Sequence, residues 1–446
     1  MDFTNKKILV CGMGKSGISA AKLLKRRGAD VTLQDLKENP DLGEDFDLRD
    51  YSTHFGSNPD DILQDFDLII VSPGIPSDLP FFVKSRELDI DIIGEMELGY
   101  ICCASPILAI TGTNGKTTTT SILGEIMRAW RPDSKICGNI GIPICQIADN
   151  MPEGAMIVAE VSSFQLETIA AFRPKVSAVL NITPDHLNRH KTLENYIAIK
   201  ERIFENQNPD DYTILNFDDP VCKDMANRAK GNIVSFSMTD DNCDVYCKGG
   251  VIYTNQNGHQ ESIIKTADLA IPGNHNIENA MAAVAMAVSI GVPTDVTAKA
   301  LLDFRAVEHR IEFVREINGV CYYNDSKATN VDSAIKGILA MKRPILLIGG
   351  GRDKDQDFAD WIAHFADCVK SIVCIGEAAE KIAQTCRAYN YTSVERANSL
   401  KDAVELCAAK AESGDCILLS PACASFDMFE SYEQRGRVFK EFVMEL

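Results

Sequence analysis

The chain has 446 residues, 45% of them apolar and 24% charged, the size of two to four globular domains with a core in each. Its net charge of −19 lacks the basic stripe of a nucleic-acid binder, and its most apolar helical stretch, AMAAVAMAVSIGV, is shorter than the about 20 residues that cross a bilayer, so neither nucleic acid nor membrane is an expected partner. The opening MDFTNKKILVCG has no apolar export region, and the 15 cysteines, an odd number spread through apolar runs as at Cys11, Cys321, Cys374 and Cys416, read as buried thiols in a reducing cytoplasm.

The first predicted elements are strand KILVC, the loop GMGKSG, a helical stretch from Ser16 to Arg27 closed by Gly28, and strand VTLQD ending in Asp35. Glycines at 12, 14 and 17 between a strand and a helix, with an acid ending the next strand, form a dinucleotide fingerprint. The glycines let the backbone approach a pyrophosphate, the helix N-terminus attracts it, and the acid takes a ribose hydroxyl. A nicotinamide dinucleotide or any diphosphate-linked nucleoside suits that geometry, and a ligand-free tight turn needs similar glycines. DLIIVSPGI reads as a buried strand entering a Pro/Gly turn, and this first unit, residues 1–100, closes at GYICCASP.

A second α/β unit, expected over residues 101–306, opens with strand PILAI and the loop GTNGKTT. The general phosphate-loop pattern wants a glycine five residues before Gly115, where this chain has Ile110. The context is right nonetheless: an apolar strand, a glycine-rich turn, then a helix from Lys116. Gly112 and Gly115 let N–H groups point inward, Lys116 can neutralise β/γ-phosphate charge, and the Thr117 hydroxyl can ligate Mg²⁺. AMIVAEV is a buried strand that carries Glu160, an acid that is costly there unless paired or metal-bound. After strand VSAVLNI, His186 falls in a turn and Lys200 on a helix beginning near Thr192. Taken singly they read as a surface histidine and a solvated lysine. Strand DYTILNF follows, and residues 232–268 read as short strands joined by Gly/Asn turns, an insertion or small side sheet. Cys243 and Cys247 have no second pair at metal spacing and predict no zinc site. The unit's last helix begins at GNHNIEN, with Gly273 and Asn274 as caps.

The third unit, residues 307–446, has strands PILLIGG, SIVCIG and DCILLSP. EHRIE places His309 and Arg310 at the domain boundary, where an arginine can reach a phosphate. NDSKATN packs Asp325, Ser326, Lys327, Thr329 and Asn330 after a strand, and GGGRDKD and LLSPACASFDMFESY are similar strand edges, where open sheets bind ligands. Strands alternating with helices in all three units predict an α/β protein of three domains in series.

GTNGKTT, GNHNIEN and EHRIE, with EVSSFQLE, NDSKATN, SPGI and LLSPACASFDMF, resemble the Mur ligases, the ATP-dependent amino-acid ligases of peptidoglycan synthesis. The resemblance covers the whole chain, and that family's phosphate loop lacks the leading glycine. It implies a Rossmann-like N-terminal domain, a central P-loop ATPase-like domain with a parallel sheet, and a Rossmann-like C-terminal domain. It also implies an amide ligase joining D-glutamate to UDP-N-acetylmuramoyl-L-alanine at the expense of ATP, acting as a monomer in the cytoplasm. The UDP-sugar would meet Gly14, Lys15, Ser16, Asp35, Ser72, Gly74 and Asn139. ATP would meet Gly112, Thr113, Asn114, Gly115, Lys116, Thr117 and Thr118, with Asn276 and Asn279 by the adenine and His309, Arg310 and Asp325 closing on the nucleotide. Of two Mg²⁺ ions, Thr117 and Glu160 would hold one, and His186 with a carbamylated Lys200 the other. D-Glutamate would meet Lys327, Thr329, Lys354, Ser425 and Tyr432; the family often has phenylalanine where Tyr432 aligns. Catalysis would rest on Lys116, Glu160, His186, Lys200 and Arg310.

Two other classes stay open at this stage. A nicotinamide oxidoreductase explains residues 1–35 and leaves the second loop and Glu160 unused, and a regulatory P-loop NTPase explains only the centre. Another amino-acid-adding ligase of the same family is the nearer alternative.

Overall fold

The computed structural model describes residues 1–43, 46–256, 258–271, 273–305, 308–353, 356–365 and 368–446. Three sheets follow one another along the chain. The first holds β1 (Lys7–Cys11), β2 (Asp30–Asp35), β3 (Ser52–Phe55), β4 (Leu68–Val71) and β5 (Asp91–Gly94) in the order β3-β2-β1-β4-β5, all parallel. β1 and β4 are almost wholly buried, as sheets covered by helices on both faces require. The order reverses between β1 and β4, so the loops leaving their C-terminal ends, at Gly12 and Ser72, flank the crevice where such sheets bind ligands.

The second sheet holds β6 (Ile107–Thr111), β7 (Lys135–Gly138), β8 (Ile157–Glu160), β9 (Val176–Val179), β10 (Tyr212–Asn216), β11 (Asn232–Ser237), β12 (Val245–Lys248), β13 (Val251–Gln256) and β14 (His259–Lys265), in the order β14-β13-β12-β11-β10-β9-β6-β8-β7. The segment read as an insertion or side sheet is continuous with the main sheet: β12 pairs parallel to β11, and β13 pairs antiparallel with both β12 and β14. β6 lies between β8 and β9, which puts the loop after it at a switch point. The helix Lys116–Trp130 that follows contains four consecutive threonines, poor helix formers, yet all four are buried. Packing on the sheet overrides their propensity.

The helix Glu95–Cys102 runs through residue 100 and joins the first sheet to the second. Glu97 accepts the backbone N–H groups of Ala170, Ala171 and Phe172 at 2.8–2.9 Å. Glu95 accepts the N–H of Cys145 at 2.8 Å, while its Oε2 is buried without a hydrogen-bond partner among the described residues. Burial pushes the Glu95 carboxyl up to about 7.

The third sheet holds β15 (Glu312–Ile317), β16 (Val320–Asn324), β17 (Ile345–Gly350), β18 (Val369–Ile375), β19 (Val394–Arg396) and β20 (Cys416–Leu419), in the order β15-β16-β20-β17-β18-β19. β15 is antiparallel to β16 and the rest are parallel. The chain divides into two compact units, Met1–Thr266 with Glu278–Leu301, and Ala267–Ile277 with Leu302–Leu446. The expected border at residues 306–307 lies outside the described residues. Among the described residues no helix is long and apolar enough to cross a membrane, and most of the cysteines are buried.

Candidate functional site

The loop after β6 has the backbone that its glycines predict. Gly115 is left-handed, with φ +84°, and a side chain there would also collide with the amide oxygen of Asn279. The loop is held from behind by Asn181, whose Oδ1 accepts the Asn114 N–H at 2.9 Å and whose Nδ2 donates to the Asn114 carbonyl at 3.2 Å. The Thr113 hydroxyl bonds the Thr183 carbonyl at 3.0 Å and lies 3.3 Å from the Tyr196 hydroxyl. Thr119 donates to Asn279 at 3.3 Å, so this helix-borne asparagine sits against the loop; Asn276, on the same helix, is buried within the second unit.

Glu160 ends β8, next to the loop. Its Oε2 accepts the Thr117 hydroxyl at 2.8 Å and its Oε1 accepts the Asn139 amide at 2.8 Å. The fold therefore brings Thr117, Glu160 and Asn139 together from separate segments. The Thr118 hydroxyl is buried with no hydrogen-bond partner among the described residues. Two hard oxygen donors, the Thr117 hydroxyl and the Glu160 carboxylate, beside an orphaned hydroxyl and a left-handed glycine at a helix N-terminus, fit a Mg²⁺-bound phosphate.

Lys116 donates to the carbonyls of Gly112 and Thr113 at 2.8 and 2.7 Å. Lys200 is 1% exposed and donates to the same Gly112 carbonyl at 2.8 Å and to the Thr111 hydroxyl at 3.4 Å. It is no solvated lysine. Burial first, and then the neighbouring Lys116 ammonium, hold Lys200 well below the ordinary lysine range. Asp185 acts on Lys200 in the opposite sense and lies 3.6 Å from His186. His186 occupies the N-cap position of the short helix Leu187–His190 with φ +54°, and its ring packs edge-on against Phe164. Asp185, Asn181, Thr183 and Tyr196 were not singled out from sequence; Asp185 stands directly before His186 in a polar turn, the one local signal that it offers.

At the first sheet, Asp35 accepts the N–H of Met13 at 2.7 Å and of Lys37 at 2.9 Å, so its carboxylate props the glycine loop. The Ser72 hydroxyl donates to the Gly12 carbonyl at 2.7 Å, and a side chain at Gly17 would collide with that carbonyl. Gly14 precedes the helix beginning at Lys15 and Ser16, with its backbone extended. Ser72 and Gly74 form the facing loop.

In the second unit Asp325 is buried, and its carboxylate accepts the Ser420 hydroxyl at 2.8 Å and the Ile311 N–H at 3.3 Å. Burial outweighs the pull of Arg310 and pushes Asp325 up to about 7. Arg310 has its Nε buried with no hydrogen-bond partner among the described residues. His309 is turned inward: it is 3% exposed, and its Nδ1 lies 2.9 Å from the Asn324 amide. Glu308, His309 and Glu312 group closely enough to suggest a cation site, but the Lys440 ammonium already bonds both glutamates. Lys327 lies over the Tyr432 ring at 5.1 Å. Arg435, which sequence reasoning missed, is 1% exposed and ties the Lys327 and Ser425 loops together. It donates to the Ser326 hydroxyl at 2.9 Å and to the carbonyls of Ser326, Cys423 and Ala424 at 2.8, 3.1 and 3.3 Å. Burial lowers it to about 10. Thr329 follows on the same loop as Lys327, and Lys354 lies outside the described residues.

Three family descriptions match in series: the Mur ligase MurD-like N-terminal domain over residues 6–94, the Mur ligase middle domain over 110–287, and the Mur ligase glutamate ligase domain over 309–423. The UDP-N-acetylmuramoylalanine–D-glutamate ligase of Thermoanaerobacter pseudethanolicus is 48% identical over 453 residues, covering 100% of both chains. That of Caldicellulosiruptor bescii is 45% identical, covering 100% of this chain and 99% of the other. Among solved structures, the UDP-N-acetylmuramate-alanine ligase of Thermotoga maritima superposes with a TM-score of 0.62 at 19% identity, over 99% of this chain and 100% of that one. The MurF ligase of Thermotoga maritima in complex with ADP gives 0.61 at 14% identity, over 99% and 96%. These two share the fold, whereas the full-length relatives at 45–48% identity carry the assignment: the chain belongs to the Mur ligase family.

Proposed function

We propose that this enzyme joins D-glutamate to UDP-N-acetylmuramoyl-L-alanine, using ATP and releasing ADP and phosphate, in peptidoglycan precursor synthesis. The observation that carries the reading is the full-length identity to ligases named for that reaction, in a chain whose second loop has the residues that the chemistry needs. A carboxylate is a poor acyl donor because oxide would have to leave. Transfer of the γ-phosphoryl group to the alanyl carboxylate makes an acyl phosphate and releases ADP. The amine of D-glutamate then attacks its carbonyl carbon, and phosphate departs from the tetrahedral intermediate.

The first step presses an anion against a triphosphate. Lys116 and Arg310 offset that repulsion, and Lys116 must leave the Gly112 and Thr113 carbonyls to do so. Thr117 and Glu160 would hold one Mg²⁺, and His186 with carbamylated Lys200 a second; bound there, the metal supplies Lewis-acid stabilisation of phosphoryl charge. The Asn139 amide, which donates to Glu160, would meet the muramoyl part. Residues 1–100 serve the UDP-sugar, with Gly14, Lys15, Ser16, Asp35, Ser72 and Gly74 at its diphosphate and nucleoside. Residues 101–306 serve ATP, with Asn276 and Asn279 by the adenine. Residues 307–446 serve the incoming amino acid through Lys327, Thr329, Lys354, Ser425 and Tyr432. His309 acts through the loops it fixes, since its carbonyl accepts the Lys327 N–H at 3.0 Å. Asp325 holds the turn after Arg310 through Ile311.

The test is ADP release by the purified protein given ATP, Mg²⁺, UDP-N-acetylmuramoyl-L-alanine, and either D- or L-glutamate. Release that needs the UDP-sugar and D-glutamate together is expected. Turnover with L-glutamate in its place, or tight binding of NADH, would overturn the reading.

A further inference from the structure

Arg189 lies on the short helix Leu187–His190, three residues from His186 at its N-cap position. Its side chain reaches out of the central domain. Nη2 donates to the Ile75 carbonyl at 2.9 Å and Nη1 lies 3.5 Å from the Gly74 carbonyl, both on the loop after β4. The same guanidinium clamps Glu167, with Nε at 2.9 Å from Oε1 and Nη2, which bonds both groups, at 2.6 Å from Oε2. Both side chains are largely buried, at 14% and 6% exposure. The guanidinium also stacks on Phe164 at 4.4 Å, and the His186 ring packs edge-on against the same phenyl at 4.8 Å. On the other side the loop is continuous with the glycine turn: Ser72 bonds the Gly12 carbonyl, and the Ile75 N–H bonds the Ser72 carbonyl at 3.0 Å. One packed, hydrogen-bonded series therefore runs from Gly12 through Ser72, Ile75, Arg189 and Phe164 to His186.

We propose that Arg189 is a positioning residue that couples occupancy of the UDP-sugar loop to the His186 side of the nucleotide site. This rests on the ligase reading above. A UDP-sugar that steadies the Ser72–Ile75 turn steadies the Arg189 fork and, through Phe164, the His186 ring, so a Mg²⁺-nucleotide meets a site with less left to order. Lysine in place of Arg189 keeps one charge but cannot grip Glu167 with two nitrogens while also bonding Ile75.

Calorimetric titration of Mg²⁺-ADP, a non-reacting ligand, is made with and without saturating UDP-N-acetylmuramoyl-L-alanine. Wild-type protein is expected to bind Mg²⁺-ADP roughly 5- to 10-fold more tightly when the sugar is present, the size of an ordinary coupling between sites. In R189K that ratio is expected to fall below about 2-fold, with each binary affinity little changed. A ratio retained in R189K overturns the proposal, even if both binary affinities weaken, because that is what loss of mere structural support would do. A wild-type ratio near one overturns it as well. If R189K does not fold, E167Q, which loosens the clamp and leaves Arg189 in place, is read the same way. Wild-type protein that binds no UDP-sugar would instead sink the ligase reading, and this inference with it.

Discussion

Lys116 and Lys200 share an acceptor: each ammonium nitrogen lies 2.8 Å from the carbonyl oxygen of Gly112. Two cations on one oxygen, one of them 1% exposed, repel each other with little water between them. The buried one gives up its proton more easily.

A neutral Lys200 amine can add CO₂, and the carbamate would turn a repelled cation into an anion with two hard oxygens for Mg²⁺. Replacing Lys200 with Arg keeps a permanent cation at the site. Turnover should fall roughly 100-fold or more, the loss expected for a group that stabilises phosphoryl charge. Wild-type protein equilibrated with ¹³C-bicarbonate should show a carbamate carbon resonance that the variant lacks. Near-normal turnover in the Arg variant would return Lys200 to a packing role.

Asp35 props the glycine loop through the Met13 N–H, and the Lys37 N–H holds its other oxygen. Asp35→Ala should weaken UDP-sugar binding about tenfold, roughly 1.4 kcal/mol, while leaving Mg²⁺-ATP binding within experimental error. Calorimetry with each ligand separately checks this, and equal loss for both ligands would point to a folding defect.

Arg310 has a buried Nε without a hydrogen-bond partner among the described residues. An unpaired buried Nε calls for a partner, and a bound phosphate would supply one. Arg310→Lys should lower turnover roughly 10- to 100-fold, since it loses the planar fork, with little movement in melting temperature. Normal turnover with a large drop in stability would show that the side chain serves the fold.

Glu95 supplies a pH test at the joint between the first two sheets. Its folded-state carboxyl stands at about 7, above the ordinary value of 4.5. Between those values the folded protein holds a proton that the unfolded chain has released. Stability should therefore be greatest below that window and fall as pH rises through it, by at most roughly 1.4 kcal/mol per pH unit. Glu95→Gln removes the titrating group and should flatten that slope in melts run from pH 4.5 to 8. An unchanged slope would place the proton elsewhere.

Much of this protein was legible from its sequence because the signals are local. Runs such as ILAI and IVAE are buried on both faces and read as parallel strands. Gly115 is needed because a backbone with φ +84° excludes side chains over a few residues, whatever the rest of the chain does. Thr192 caps its helix by accepting the Asn195 N–H at 3.2 Å, as its position suggests. Charge burial is a different matter. Lys200 and Gly112 are 88 residues apart, Arg189 and Ile75 114, and Arg435 and Ser326 109. No periodicity or spacing connects such pairs. In isolation each of these cations reads as a solvated surface residue, because exposure is the usual state of lysine and arginine. Only packing of the sheets and their loops removed the water and supplied carbonyl and carboxylate partners, turning three ordinary-looking side chains into a deprotonation-prone amine, a bridge between loops and a buried anchor.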